Sequence, residues 1–113
     1  MDYIKETKIL VEKIRHLKEY TDYQNCKNVI ETNPQLLQKV NDYRKKLFSM
    51  HLEYGDGSFE CYENILRLNK ESDFIEEVEV KEFLNAEIKL SQVITNIYDC
   101  IAKEINFDIS FLD

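Results

Sequence analysis

Apolar residues recur along this chain at steps of three and four almost from end to end, the spacing that keeps side chains on one face of an α-helix. Tyr3, Thr7, Leu10, Ile14 and Leu17 line a first stripe, and Tyr20, Tyr23, Cys26 and Ile30 continue a similar one. Thr21 or Asp22 would cap a fresh start, so the pattern predicts a kink or short break near Tyr20. Asn33-Pro34 is a firmer boundary. Proline suits the first helical position, where its missing N–H costs nothing, and it drives the residue before it out of helical geometry. One helix therefore ends by Thr32, and the next starts at Pro34 with Asn33 as its N-cap.

From there Leu36, Val40, Tyr43, Leu47, Met50 and Tyr54 alternate steps of four and three, with Phe48 and Leu52 beside them. This predicts an amphipathic helix of about five turns with a seam of near-heptad character. Gly55-Asp56-Gly57 breaks it, with Gly55 placed for a left-handed C-terminal cap and Ser58 for the next N-cap. A helix from Phe59 to about Asn69 presents Phe59, Tyr62, Ile65 and Leu66. Ser72-Asp73 restarts the chain. Val78 to Val80 alternates as a strand would, but it is isolated and reads better as the acidic first turn of a last helix. That helix, from about Glu79 to Ile105, is roughly 40 Å long. Its apolar face (Phe83, Leu84, Ile88, Leu90, Ile94, Ile97, Tyr98, Ile101 and Ile105) is wider than a two-stranded seam, so it is contacted on two sides or also meets another chain. Ile109, Phe111 and Leu112 form a short apolar tail suited to docking back. The expected fold is all-α: a small helical bundle of about five helices with a long C-terminal helix, one domain over residues 1–113.

Composition narrows the function classes. Hydrophobic residues make up 43% of the 113, too many for a disordered segment. Two glycines and one proline are too few for the turns of a sandwich or barrel. A net charge of −7 opposes the positive field that general nucleic-acid binding needs. The charge is split unevenly. Residues 1–50 carry ten Lys/Arg against seven Asp/Glu, net +3, whereas residues 51–113 carry five against fifteen, net −10. Arg44-Lys45-Lys46 is the only basic run, and six acids fall between Glu71 and Glu82. Solvated faces and attraction between the two halves explain this, as would an acidic docking surface for a basic partner or antiparallel self-association of the complementary halves. The opening Met1-Asp2-Tyr3-Ile4-Lys5-Glu6 lacks the pattern of a secretory signal, no apolar run approaches a bilayer span, and three widely spaced cysteines make no disulfide framework. A reducing cytoplasm is expected.

Candidate chemistry is sparse. His16 has Glu12 and Glu19 at helical spacing, and His51 has Glu53 nearby but off its face, with no repeated Glu-x-x-His as in a di-iron bundle. Both histidines read as surface or rim residues. Cys26, Cys61 and Cys100 form no CxxC and read as small buried hydrophobes. Nothing in the spacing suggests that Cys26 or Cys61 meets a histidine in a nucleophilic pair. With both glycines in one turn, phosphate-cradling loops are ruled out. The tyrosines and phenylalanines fall mostly on the helical stripes, so they serve core and interface.

Four segments in order, Tyr20-Thr21-Asp22-Tyr23-Gln24, Glu31-Thr32-Asn33-Pro34-Gln35-Leu36-Leu37, a charged amphipathic helix, and Glu82-Phe83-Leu84-Asn85-Ala86-Glu87 opening a long final helix, carry a resemblance. The chain resembles the YlbF/YmcA (YheA-like) family of small bacterial helical proteins from about Leu10 to Asn106. It departs from the family pattern in lacking a proline ahead of Val80 and in lacking clustered cysteines, which argues against an iron–sulfur role. The resemblance implies a self-associating all-α bundle, a dimer or tetramer. It also implies regulation of competence, sporulation or biofilm formation alongside proteins of the YaaT/YlbF/YmcA type, with influence on RNase Y.

The combined expectation is a non-enzymatic regulatory or adaptor protein without cofactor, metal or membrane partner, which does not bind nucleic acid directly. Its oligomer or partner interface is assigned to Phe83, Leu84, Ile88, Leu90, Ile94, Ile97 and Ile101. Two alternatives stand beside it: a metal- or cofactor-binding bundle using His16 or the cysteines, and an accessory that contacts RNA through Lys39, Arg44, Lys45 and Lys46.

Overall fold

A computed structural model describes residues 2–55, 57–106 and 111 of the chain. Its described residues form α1 (Tyr3–Arg15), α2 (Lys18–Glu31), α3 (Pro34–Tyr54), α4 (Phe59–Glu71), a 3-10 turn (Asp73–Glu76) and α5 (Val78–Glu104), with no strand among them. The all-α class and the long last helix are as the apolar spacing requires. Val78 to Val80 begins α5 and makes no strand.

Local chemistry accounts for most boundaries. The Asp2 carboxylate accepts from the Ile4 and Lys5 amides and so caps α1. Asn33 is extended, accepts from Leu36 N–H at 3.2 Å through its side chain, and hands over to Pro34 at the first position of α3. Ser58 accepts from Cys61 N–H at 3.1 Å and caps α4. Gly55 ends α3 at φ 77°, ψ 151°. Its φ is positive as expected, but its ψ lies outside the left-handed helical region, so the cap is not the expected one.

The first break differs from expectation. It falls at His16–Leu17, not near Tyr20, and Thr21 and Asp22 lie inside α2. Thr21 Oγ1 donates back to the Leu17 carbonyl, and Lys18 pairs with Asp22 at 2.7 Å. The apolar phase runs unbroken through Leu17, so periodicity holds no trace of the interruption.

The chain divides into two compact units, one from Asn25 to Leu84 and one made of the residues up to Gln24 together with those from Asn85 onward. In the first, α3 and α4 pack as an antiparallel hairpin with the 3-10 turn against both. Ile30, Val40, Tyr43, Cys61, Leu68, Val80 and Phe83 are its buried side chains, with Ser72 the buried polar one. Tyr43 donates to Asn69 Oδ1 at 2.7 Å and meets the Phe74 ring edge-on at 6.2 Å between centroids. Burial pushes the Tyr43 phenol above its usual range. In the second unit Ala86 is buried, Leu90, Val93 and Ile97 are half-buried, and no residue of α1 is buried. Of the expected apolar tail, Ile109 and Leu112 lie outside the described residues, and Phe111 is exposed.

Candidate functional site

The seven residues assigned to an interface do not share one environment. Phe83 is 2% exposed and lies in the chain's own core, with the Arg44 guanidinium 5.3 Å above its ring. Its apolar character is accounted for within the chain, so it offers no surface to a partner. Leu84, Leu90 and Ile97 are half-buried. Ile88, Ile94 and Ile101 are at least half exposed. Tyr98 and Ile105, left out of the assignment, join Ile94 and Ile101 at steps of four, three and four, with Ile105 directly after the end of α5, and are more exposed still. These four side chains form a near-heptad apolar seam on the surface of the unit.

A second apolar surface escaped the assignment. α1 carries a stripe suited to packing, yet Tyr3, Ile4, Ile9, Leu10 and Val11 are exposed and nothing on the helix is buried. The signal was present in the spacing of Tyr3, Leu10 and Ile14, but spacing alone reports an apolar face and not what covers it.

Charge is less focused than the sequence suggested. Glu71, Asp73, Glu76, Glu77, Glu79 and Glu82 are all exposed, with Lys81 paired to Glu76 at 2.8 Å. In the basic run, Arg44 is half-buried over Phe83 and donates to Asn41 Oδ1 at 3.1 Å, leaving Lys45 and Lys46 exposed. Lys39 and Lys46 share a cavity of about 300 Å³ with Asp42 and Glu71, so the cations there face acids. That is not the uniform positive field an RNA backbone requires.

The histidines and cysteines separate clearly. His16 Nδ1 lies 2.7 Å from the Glu12 carbonyl oxygen, which can only accept, so the imidazole donates and finishes α1. The Glu12 carboxylate is turned to Arg15 at 2.8 Å. Among the described residues, no group of three His, Cys, Asp or Glu is placed to hold a metal ion. Cys61 is buried and Cys26 half-buried, but Cys100 is exposed, contrary to the expectation of three buried thiols: it lies on the distal part of α5, where the apolar seam itself is exposed.

Cys61 and His51 do meet. Cys61 Sγ lies 3.9 Å from His51 Nδ1 and 3.8 Å from the Met50 carbonyl oxygen, beside a cavity of about 400 Å³. Sequence reasoning saw no sign of this pair, although a sign existed. An antiparallel hairpin centred on position 56 brings together residues equidistant from it, and both Tyr43–Asn69 and His51–Cys61 satisfy that condition.

Comparison with known proteins adds the following. A family model described as control of competence regulator ComK, YlbF/YmcA, matches residues 3–106. A UPF0342 protein of Symbiobacterium thermophilum is 23% identical over 105 residues, covering 90% of this chain and 92% of that relative. A UPF0342 protein of Caldicellulosiruptor bescii is 25% identical over 99 residues, covering 87% of this chain and 83% of that relative. No solved structure matches the chain.

Proposed function

Since the chain belongs to the YlbF/YmcA family of competence-control proteins, we propose that it is a non-enzymatic cytoplasmic regulator that acts by binding proteins, its own copies among them. The observation that carries this reading is the seam of Ile94, Tyr98, Ile101 and Ile105, exposed over half or more of each side chain. Contiguous apolar surface on a helix at this spacing is the ordinary material of helix–helix association. Burying the remaining half of each side chain would contribute on the order of 1 kcal/mol apiece. The unburied stripe of α1, in the same compact unit, supplies further area of the same kind.

In this reading the chain forms a dimer or tetramer through α1 and the distal half of α5, and regulatory partners of the YaaT/YlbF/YmcA type meet the assembly. No described helix is long and apolar enough to cross a membrane. Light scattering on eluting fractions tests the reading. The wild type should run as a dimer or larger at micromolar concentration, and Ile94→Asp should run as a monomer that keeps its helicity, because that side chain is already exposed. A wild-type monomer at that concentration, or an Ile94→Asp variant of unchanged mass, would refute it.

A further inference from the structure

We propose that Cys61 and His51 form a reactive-thiol site at the α3–α4 turn, one that exchanges with small neutral disulfides. Three observations meet there. The thiol lies 3.9 Å from the imidazole Nδ1, within reach for a sulfur donor, and 3.8 Å from the Met50 carbonyl oxygen, which competes for its proton. Cys61 lies in the first turn of α4, with its own amide held by Ser58 Oγ, at the helix end whose dipole favours an anion. A cavity of about 400 Å³ at this turn has Cys61 and His51 in its lining with Phe59, Tyr62 and Ile65, which makes it mostly apolar, and among the described residues none of its lining side chains is a carboxylate. Cys61 is itself only 2% exposed, so a reagent reaches it only from this cavity, and a core cysteine serving only as a small hydrophobe has no need of an imidazole beside it.

The nucleophile in thiol–disulfide exchange is the thiolate, and a neighbouring base supplies it. His51 takes the Cys61 proton, and Sγ attacks one sulfur of the incoming disulfide. A new sulfur–sulfur bond forms to Cys61 while the old one breaks. The departing half leaves as a thiolate and recovers the proton from His51. Cys61 is oxidised and one half of the reagent is reduced, so no further oxidant is required. The size and lining of the cavity favour a small uncharged reagent over a bulky anionic one. An adduct would fill space at the turn joining α3 to α4, so the modification would report on that hairpin.

The test uses the full reduced chain under native conditions with bis(2-hydroxyethyl) disulfide, and follows each cysteine by peptide mass spectrometry. Cys100, exposed, is the internal reference. The expected result is modification of Cys61 in the folded chain, at a rate that falls at least fivefold in both His51→Ala and His51→Asn while the Cys100 rate stays within twofold. Glutathione disulfide, larger and anionic, should prefer Cys100. Circular dichroism on each variant checks that helicity is kept, and the Asn variant stands in if Ala disturbs the helix. A Cys61 rate unchanged by loss of the imidazole would overturn the proposal, as would labelling of Cys61 only when the chain unfolds.

Discussion

Replacing Tyr43 with Phe removes a single oxygen from the centre of the α3–α4 hairpin and leaves the ring where it packs. The hydroxyl donates to Asn69 Oδ1 at 2.7 Å, while the ring meets Phe74 edge-on and is itself 8% exposed. A hydrogen bond of this kind contributes about 0.5–1.5 kcal/mol net. Asn69 is only half-buried, so water can take over its carbonyl and the loss should lie near 1 kcal/mol. For a domain of this size that is a fall in Tm of about 4 °C. Tyr43→Ala, which also removes the ring, should cost about 3–5 kcal/mol. Proton linkage adds a second signature. Burial raises the Tyr43 phenol above its ordinary value of 10.0, so the folded chain holds a proton that the unfolded chain releases. This contribution is complete below the unfolded value and is lost as pH rises through the folded one. The wild-type advantage over Tyr43→Phe should therefore be full at pH 7 and shrink from about pH 10 upward. Urea titration followed by helical circular dichroism, at one fixed protein concentration, measures both. Equal midpoints at neutral pH, or a gap that persists undiminished at about pH 11, would refute the reasoning.

Two further outcomes follow from the same unit. Phe83→Ala should cost about 3–5 kcal/mol, since the ring is buried under the Arg44 guanidinium, while Arg44→Gln should cost about 1 kcal/mol by losing the cation and keeping the ring, both read from urea midpoints. Gly55→Ala should destabilise by about 1–3 kcal/mol although a Cβ there would meet nothing within 4 Å, because φ 77° with ψ 151° is backbone that only glycine adopts freely; an unchanged midpoint would show that the turn relaxes.

Helix ends governed by neighbours in sequence were legible in advance. Asn33 and Ser58 accept from amides three residues on, and the Gly55 N–H donates to the His51 carbonyl four residues back, so no tertiary knowledge is needed to place these ends. The break at His16–Leu17 was not legible, because the apolar phase passes through it undisturbed and His16 ends the helix by bonding back to Glu12. The candidate sites divide in the same way. The amphipathic character of the last helix could be read from its spacing. That Phe83 is enclosed while Ile94 and Ile101, on a continuation of the same face, stand in solvent could not.

By itself, then, the order of residues determined the helical class, the N-caps at Asn33 and Ser58, the charge split and the family. Those properties arise from interactions spanning a few positions, or from short motifs. Only the folded chain decided which apolar faces are used up internally and which are left over, and that a thiol and an imidazole ten residues apart become neighbours. Periodicity states that a helix has a face to bury. What lies opposite that face depends on how the hairpin closes and how distant segments meet, and both are set by the packing of the whole chain.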